Sequence, residues 1–418
     1  MSAVPMSIGI LALNYAPEPT GIAPYVSDLA SGLTERGHSV AVSTGYPHYP
    51  QWAIDPRYGG RTLREIVGGV PVTRLRHHVP STAGAVGRVR METSFGTRLA
   101  TMPWPNVDVL LAVSPALLAT GMALLRARVS DRSTPVGLWV QDLYGPGASE
   151  TGLVGSRGAR WTAALESRIL RSADSVIVAH EQFEQQLLER YSVDPKRVEV
   201  IRNWTHLPDR PQVDLASARR RFGWAPGETI VLHTGNMGVK QELDNVVEAG
   251  KVVDRQGARI RFLLVGDGNR RSHLEHAARG VRSIEFLRPF PSEDYAAALA
   301  AADVLLVNEK RGLSQMSIPS KLTSYFASGT AVLAATDAGS ITSREVERSG
   351  AGVTVAAGDP QALVDGVRTL ASDTRHAQSL GRRGIDYVDR NLTRVAALDK
   401  FEAWARRIVE STSDRRNH

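Results

Sequence analysis

Apolar residues occur in short blocks along the chain. Each block is followed by a glycine- or proline-containing turn, and then by a segment whose apolar positions recur every three or four residues. Ser7–Leu13 (SIGILAL) opens the series and predicts a strand, with the turn Asn14–Gly21 after it. Ile22, Tyr25, Val26, Leu29, Ala30 and Leu33 then fall at the i, i+3, i+4, i+7 spacing of an amphipathic helix. Gly37 ends that helix, and Ser39–Thr44 predicts the next strand. Strand, loop, helix, strand is a βαβ unit, and such units imply a parallel sheet covered by helices on both faces. Val107–Val113, Val136–Val140 and Ser175–Ala179 continue the same grammar.

The pattern breaks at Asn203–Gln212 (NWTHLPDRPQ), a proline-containing connector, and then restarts. Ile230–His233 predicts a strand, Gly235–Lys240 (GNMGVK) a glycine loop and Leu243–Val253 a helix. Strands follow at Ile260–Val265, Ala302–Val307, Thr330–Ala334 and Gly352–Val355, with helices at Lys321–Ala327 and Gln361–Leu370. From Arg382 to Val409 the chain reads as helical, weakly broken near Asn391. The expected fold class is therefore α/β, with two doubly wound, Rossmann-like domains. Residues 1–204 make the first and 205–390 the second, and 391–418 form a closing helix. Open sheets of this kind bind ligands beyond the carboxyl ends of their strands.

Length and composition agree with this picture. At roughly 150 residues per domain, 418 residues allow two or three domains, and 42 % apolar residues fill sizeable cores. No apolar run approaches the ~18 residues of a membrane span, and no secretory leader is visible. Cysteine is absent, which removes disulfides, thiolate metal sites and cysteine nucleophiles and fits a cytoplasmic setting. The net charge of +7 is local. Arg74, Arg76, Arg88, Arg90 and Arg98 face one acid, Glu92, and Arg157, Arg160, Arg168 and Arg171 face Glu166, so the two stretches hold the whole excess. A uniform nucleic-acid coat is excluded. Two solvated faces or an anionic lipid surface remain.

Two segments carry candidate chemistry. In Gly235–Lys240 the glycines let backbone amides approach an anion, and Lys240 adds a full charge; the Walker spacing is missing. In Gly312–Thr330 a polar loop enters a helix at Ser320, which reads as an N-cap or as part of a second anion-receptive helix start. A diphosphate is the ligand that uses both. Asp142 ends the strand Val136–Val140, where it reads as a turn cap or as a proton acceptor. His48 reads as an exposed loop residue or a ligand contact, and Trp204 as a packing residue at the junction of the two domains.

The order of Gly-x-x-Gly-x-Lys, the turn Gly266-Asp267-Gly268, and Pro-Ser-Lys-Leu-x-x-Tyr-x-Ala-x-Gly from Pro319 resembles the family 4 retaining glycosyltransferases of the GT-B fold. Asn14-Tyr15-x-Pro17-Glu18-x-Thr20-Gly21, Tyr46–Pro50, Gln141–Tyr144 and Arg202-Asn203-Trp204 resemble their colanic-acid and O-antigen branch. The resemblance implies a donor site made by Gly21, Gly235, Asn236, Gly238, Lys240, Gly266, Asp267 and Gly268. Arg288, Pro289 and Phe290 join it beside the nucleoside, and Ser317, Ile318, Pro319, Ser320 and Lys321 along the sugar and phosphates. Lys240 would neutralise the leaving diphosphate, Asp142 would serve catalysis, and Thr20, His48, Asp142 and Tyr144 would meet the acceptor. One departure stands out: the two family glutamates, eight positions apart, fall on Met316 and Ser324, and the second usually holds the ribose.

The resemblance thus implies metal-independent retaining transfer from a nucleotide-diphosphate sugar, uridine-linked by preference, with no further cofactor. It also implies a saccharide or polyprenyl-linked acceptor, peripheral contact with an anionic membrane, a closing helix that crosses back to the first domain, and no nucleic acid. The absence of Asp-x-Asp at the strand ends agrees with the metal-free mechanism. A nucleotide-sugar epimerase of the same fold and a non-catalytic binder of anionic surfaces are the alternatives.

Overall fold

The structure is a computed structural model that describes residues 4–19, 21–49, 51–81, 84–114, 116–130, 134–143, 156–207, 214–312 and 320–416. It divides into two units, Met1–Asn203 with Val395–His418, and Trp204–Arg394.

In the first unit the strands are β1 (Ser7–Ala12), β2 (Ser39–Gly45), β3 (Thr62–Val67), β4 (Val70–Leu75), β5 (Val109–Val113), β6 (Val136–Val140), β7 (Ser175–Val178) and β8 (Val198–Val200). They form one sheet in the order β3-β4-β2-β1-β5-β6-β7-β8. Every pairing is parallel except β3 with β4. Ile10 is in register with Val42 on one side and Leu111 on the other, so the strand order reverses between β1 and β5. β5 and β6 are buried along their whole length, the mark of a parallel sheet covered on both faces.

The periodicity reading did not include the β3–β4 hairpin. Its outer strand β3 alternates exposed and half-buried positions at the sheet edge, β4 is mostly buried against β2, and the loop is Gly68-Gly69, both with positive φ (56° and 79°). A two-residue glycine loop between alternating runs is a hairpin signal that the search for apolar blocks passes over. β8 was missed for a related reason: it is three residues long and only half-buried.

The helix Arg394–Arg416 belongs to the first unit from Val395 onward. A β-carbon on Gly137 of β6 would lie 2.0 Å from Trp404, so this strand has room for the indole only because it carries glycine there. Phe401 packs edge-on against Trp139 with ring centroids 4.9 Å apart. At the rim Glu402 accepts hydrogen bonds from Arg36 at 2.7 Å and His38 at 2.6 Å. The break expected near Asn391 falls at Leu392, after the helix Thr374–Asn391. The second unit runs on to Arg394, and Thr205 N–H at its start donates to the Leu392 carbonyl near its end at 3.0 Å.

The second unit has β9 (Thr229–Thr234), β10 (Ile260–Val265), β11 (Ile284–Leu287), β12 (Val304–Asn308), β13 (Val332–Ala335) and β14 (Gly352–Val355). The order is β11-β10-β9-β12-β13-β14 and all pairs are parallel. This is the doubly wound arrangement, and its direction of winding reverses between β9 and β12. Alternate side chains feed two cores: Val231, Phe262, Leu306 and Leu333 on one face, Ile230, Leu232, Leu263 and Leu305 on the other. No helix among the described residues is long and apolar enough to cross a membrane.

Candidate functional site

The reversal between β9 and β12 opens a crevice beyond their carboxyl ends, where open α/β sheets take ligands. The glycine loop leaves β9 at this point. Gly235 N–H donates to the Val265 carbonyl, Met237 N–H to Asp267 O and Arg270 N–H to Met237 O, each within 2.8–2.9 Å. These bonds lay the loop along the turn Gly266-Asp267-Gly268. The packing requires glycine: β-carbons on Gly266 and Gly268 would lie 1.9 Å from the Gly235 oxygen and 2.5 Å from the Met237 oxygen. Both residues also have positive φ, 143° and 156°.

The loop does not run straight into a helix, as the sequence suggested. Val239–Gln241 forms one 3₁₀ turn, Glu242 takes a left-handed conformation (φ 41°), and the α-helix begins at Asp244. Asn308 at the end of β12 holds this turn, donating its amide to the carbonyls of Gln241 (2.8 Å) and Glu242 (3.1 Å). Lys310 N–H donates to the Lys240 carbonyl at 2.9 Å, so the loops beyond β9 and β12 are joined directly. Asn236, Lys240 and Asp267 are exposed around the crevice, and Gly238 N–H donates to the Gln241 side chain at 3.1 Å.

Beneath Gly235 lies a lysine. A β-carbon on Gly235 would sit 3.7 Å from Lys321 Cε and 3.8 Å from Nζ, and Nζ is 3.2 Å from His233 Nε2. His233 is fully buried in β9, and its Nδ1 is 3.2 Å from the Leu306 carbonyl. Burial, then the charge of Lys321, holds the imidazole well below its usual pKa. It is therefore neutral, with the Leu306 and Asn236 backbones as its other polar neighbours beside Lys321. Lys321 keeps intermediate surface exposure overall, but its ammonium end is desolvated. That desolvation brings its pKa down to about 7, against the opposing pull of Glu309. Burial raises the Glu309 carboxyl, which accepts hydrogen bonds from Thr336 (2.5 Å) and Thr342 (2.7 Å). Lys321 and Glu309 are thus both engaged, one by His233 and the other by two threonines.

Ser324 hydrogen-bonds Tyr295, whose hydroxyl lies 3.3 Å from Thr234 Oγ1; Thr234 N–H donates to the Tyr325 hydroxyl at 2.9 Å. Where the family carries a carboxylate, this chain has an uncharged hydroxyl network. Ser320 is the N-cap of the helix Lys321–Ser328, but its side chain makes no capping bond, which corrects the cap reading. Arg288 and Pro289 are exposed beyond β11, and Phe290 packs on Phe222 at 5.4 Å. Arg271 ties that strand end to the Gly266 turn, donating to the Leu287 carbonyl at 2.9 Å. Ser317, Ile318 and Pro319 lie outside the described residues, as do Thr20 and Tyr144 of the first unit.

In the first unit the winding reverses between β1 and β5, and Gly21 stands in the loop beyond β1 with φ +68° and nothing within 4 Å of a β-carbon. Glu18 of the same loop carried no role in the sequence reading beyond its place in the Asn14–Gly21 motif, yet it organises this region. Its buried carboxylate accepts from the backbone amides of His48 (2.8 Å) and Tyr49 (2.9 Å) and from Asn14 (2.8 Å). A charged residue inside a proline turn was the available signal. His48 departs from the expectation of an exposed loop residue. It is 3 % exposed, its ring packs 4.8 Å from His77, and Nδ1 lies 3.0 Å from the Tyr46 carbonyl. Asp142 is half-buried at the end of β6, next to Gln141, whose amide exchanges hydrogen bonds with Asn203 at 3.1 and 2.8 Å. Trp204, the first residue of the second unit, is fully buried, 6.1 Å from the His206 ring.

The arginine stretches are not uniform surface charge. Arg74 is 1 % exposed; it is paired with Glu65 and donates to the Ala16 carbonyl at 2.6 Å. Arg98 is half-buried and donates to Thr62 Oγ1 at 2.9 Å. Arg76, Arg88, Arg90, Arg160, Arg168 and Arg171 are exposed, and the Arg157 side chain lies outside the described ones.

Comparison with known proteins adds a second line of observation. Residues 20–204 match the glycosyl transferase 4-like domain, and residues 228–373 match glycosyl transferases group 1. WcaI of Escherichia coli K12, a glycosyl transferase assigned to colanic acid biosynthesis, is 30 % identical over 95 % of this chain and 98 % of its own. Sucrose-phosphate synthase from Thermosynechococcus elongatus superposes with a TM-score of 0.73 at 19 % identity, over 97 % of this chain and 100 % of that one. HepE from Anabaena, solved in complex with UDP, superposes with a TM-score of 0.69 at 15 % identity, over 95 % and 99 %. With both family matches falling in order on two doubly wound units, and a relative alike over nearly its whole length, the chain belongs to the family 4 glycosyltransferases of the GT-B fold.

Proposed function

We propose that this glycosyltransferase moves a sugar, with retention and without a metal, from a nucleotide-diphosphate sugar to a saccharide or lipid-linked saccharide in cell-surface polysaccharide or glycoconjugate synthesis. The observation that carries the reading is the joined pair of loops beyond β9 and β12, which leave Lys240 exposed and Lys321 beneath Gly235 at the winding reversal. In transfer the bond from the sugar carbon to the diphosphate oxygen breaks, and negative charge grows on the leaving phosphate. Fixed cations and amides that meet that charge stabilise the transition state more than the ground state. Lys240 takes this role, with Gly235, Asn236, Gly238, Gly266, Asp267 and Gly268 shaping the diphosphate site and Arg288, Pro289 and Phe290 bordering the nucleoside. Gly21 and Asp142 of the first unit serve the sugar and acceptor, Asp142 accepting or orienting the hydroxyl that attacks.

The UDP bound by HepE and the colanic-acid assignment of WcaI support a uridine-linked donor and a polysaccharide product. Thermal-shift measurements with nucleotide sugars test the reading, because ligand stabilises by RT ln(1 + [L]/Kd). A rise in Tm with UDP-sugars supports it, and no rise with any nucleotide-diphosphate sugar overturns it.

A second element is contact of the first unit with an anionic membrane surface. The helices Ala85–Thr101 and Ser156–Ser172 both pack against Leu117–Ser130, closely enough that β-carbons on Gly96 and Gly121 would meet Ala119 and Ile169 within 2.8 Å. Their outer side exposes Val86, Val89, Leu125, Val129, Leu165 and Trp161, the last at 79 %. Arg88, Arg90, Arg128, Arg160, Arg168 and Arg171 are exposed on the same helices. An indole among arginines suits the interface between lipid head groups and chains, where each basic residue adds about 1 kcal/mol against anionic lipid.

A further inference from the structure

Lys321 is placed unlike a surface phosphate-binding lysine. Its stem starts the helix Lys321–Ser328, and its Nζ turns under the first residue of the glycine loop. The titratable groups around it come from β9, from the segments beyond β12 and β13, and from the helices Ser292–Ala301 and Lys321–Ser328. His233 on β9 faces it with a neutral ring, 3.2 Å away. Glu309, beyond β12, attracts it but is already held by Thr336 and Thr342, and Asp337, beyond β13, acts on Glu309 in turn. Tyr295 and Tyr325 are committed to Thr234 and Ser324. Among the described residues the ammonium therefore has the neutral His233 ring in contact, and burial strips it of water, an arrangement that disfavours the charged form.

We propose that a diphosphate entering the second unit is bound together with a proton, taken up by Lys321 as the neutral amine becomes the ammonium beneath Gly235. The step balances as amine, proton and diphosphate combining into an ammonium–diphosphate pair, with the proton drawn from solution. Burial sets the amine near pH 7 in the empty site, and two phosphate charges next to Gly235 push it back toward the ordinary lysine range. This rests on the donor-site reading and adds to it a proton-linked affinity.

The test is calorimetry of UDP, and separately of inorganic pyrophosphate, in pairs of buffers with different ionisation heats between pH 7 and 9. Wild type is expected to take up close to one proton per site at pH 8 and to lose affinity about tenfold per pH unit, the slope for one linked proton. Lys321→Arg, which stays charged, is expected to bind with neither uptake nor slope, and its melting curve checks that it is folded. In the ligand-free protein, ¹³Cε-lysine NMR is expected to show one resonance titrating near pH 7 that disappears in Lys321→Arg. Binding without proton uptake, or an Lys321 resonance titrating near 10, overturns the coupling while leaving the donor site standing. Failure of both probes to bind wild type overturns the donor-site reading and the coupling with it.

Discussion

Gly266 approaches Gly235 so closely that a β-carbon on the first would lie 1.9 Å from the carbonyl oxygen of the second. Gly266→Ala therefore has to push the two loops apart or abandon a backbone conformation that alanine rarely adopts, at a cost of about 1–3 kcal/mol. The expected result is a lower melting temperature together with at least tenfold weaker UDP binding. Gly21→Ala is the contrast. That position also has positive φ, but the space around it is open, so the variant should fold with a smaller loss of stability and lose turnover instead. If the two variants melt and bind alike, the packing argument for Gly266 is wrong.

Lys240 and Asp142 separate donor from acceptor chemistry. Lys240→Ala should lower kcat by about 10²-fold or more, with a smaller change in donor affinity, since the charge it meets grows as the sugar leaves. Asp142→Asn should leave donor affinity intact while transfer falls. Wild-type turnover and UDP binding by Lys240→Ala would remove the phosphate assignment. Release of an epimerised donor in the absence of any acceptor would instead favour an epimerase.

The apolar and basic face of the first unit predicts a dependence on lipid charge. Replacing Trp161, Arg160 and Arg168 by serine should weaken co-sedimentation with phosphatidylglycerol vesicles. Transfer to a water-soluble acceptor analogue should be unchanged. Equal sedimentation of wild type and variant would show that these helices do not carry the contact.

His77 gives a pH dependence with a defined window. Burial, then the neighbouring His48, brings its pKa down to about 3, so it is neutral in the folded protein at every pH above that value. The unfolded chain protonates it near pH 6.5. Because the unfolded state binds the extra proton, stability is complete above about pH 6.5 and is lost progressively as pH falls toward 3. His77→Asn should melt lower at neutral pH but show a flatter decline in acid, measured by denaturant unfolding from pH 7 to 4. Parallel acid limbs in the two proteins would rule His77 out.

Periodicity carried most of the architecture, because parallel strands buried on both faces read as plain apolar runs. The glycine loops were legible for a similar reason: Gly235, Gly266 and Gly268 permit a backbone approach that leaves a mark on the sequence. His233 left no comparable mark. It occupies one place in an otherwise apolar strand, and its meaning depends on Lys321, 88 residues away. Glu18 and Arg74 were hidden likewise, one in a proline turn and the other in a basic stretch, each defined by partners that only the fold supplies. The 3₁₀ turn Val239–Gln241 was beyond reach, because it is fixed by Asn308 from another strand.

The pairing of His38 with Glu402 spans 364 residues of chain. The first unit is thus discontinuous along the chain: Gly137 and Trp139 of β6 are covered by Trp404 and Phe401, which follow the whole of the second unit in sequence. The second unit is continuous and can finish while the first is still open. A chain lacking the helix Arg394–Arg416 would hold an intact second sheet and a first sheet exposing an apolar strip, a species prone to aggregation. The helix Arg394–Arg416 therefore closes the half whose strands come first in the sequence, and its loss should show as aggregation through that half while the second sheet stays formed.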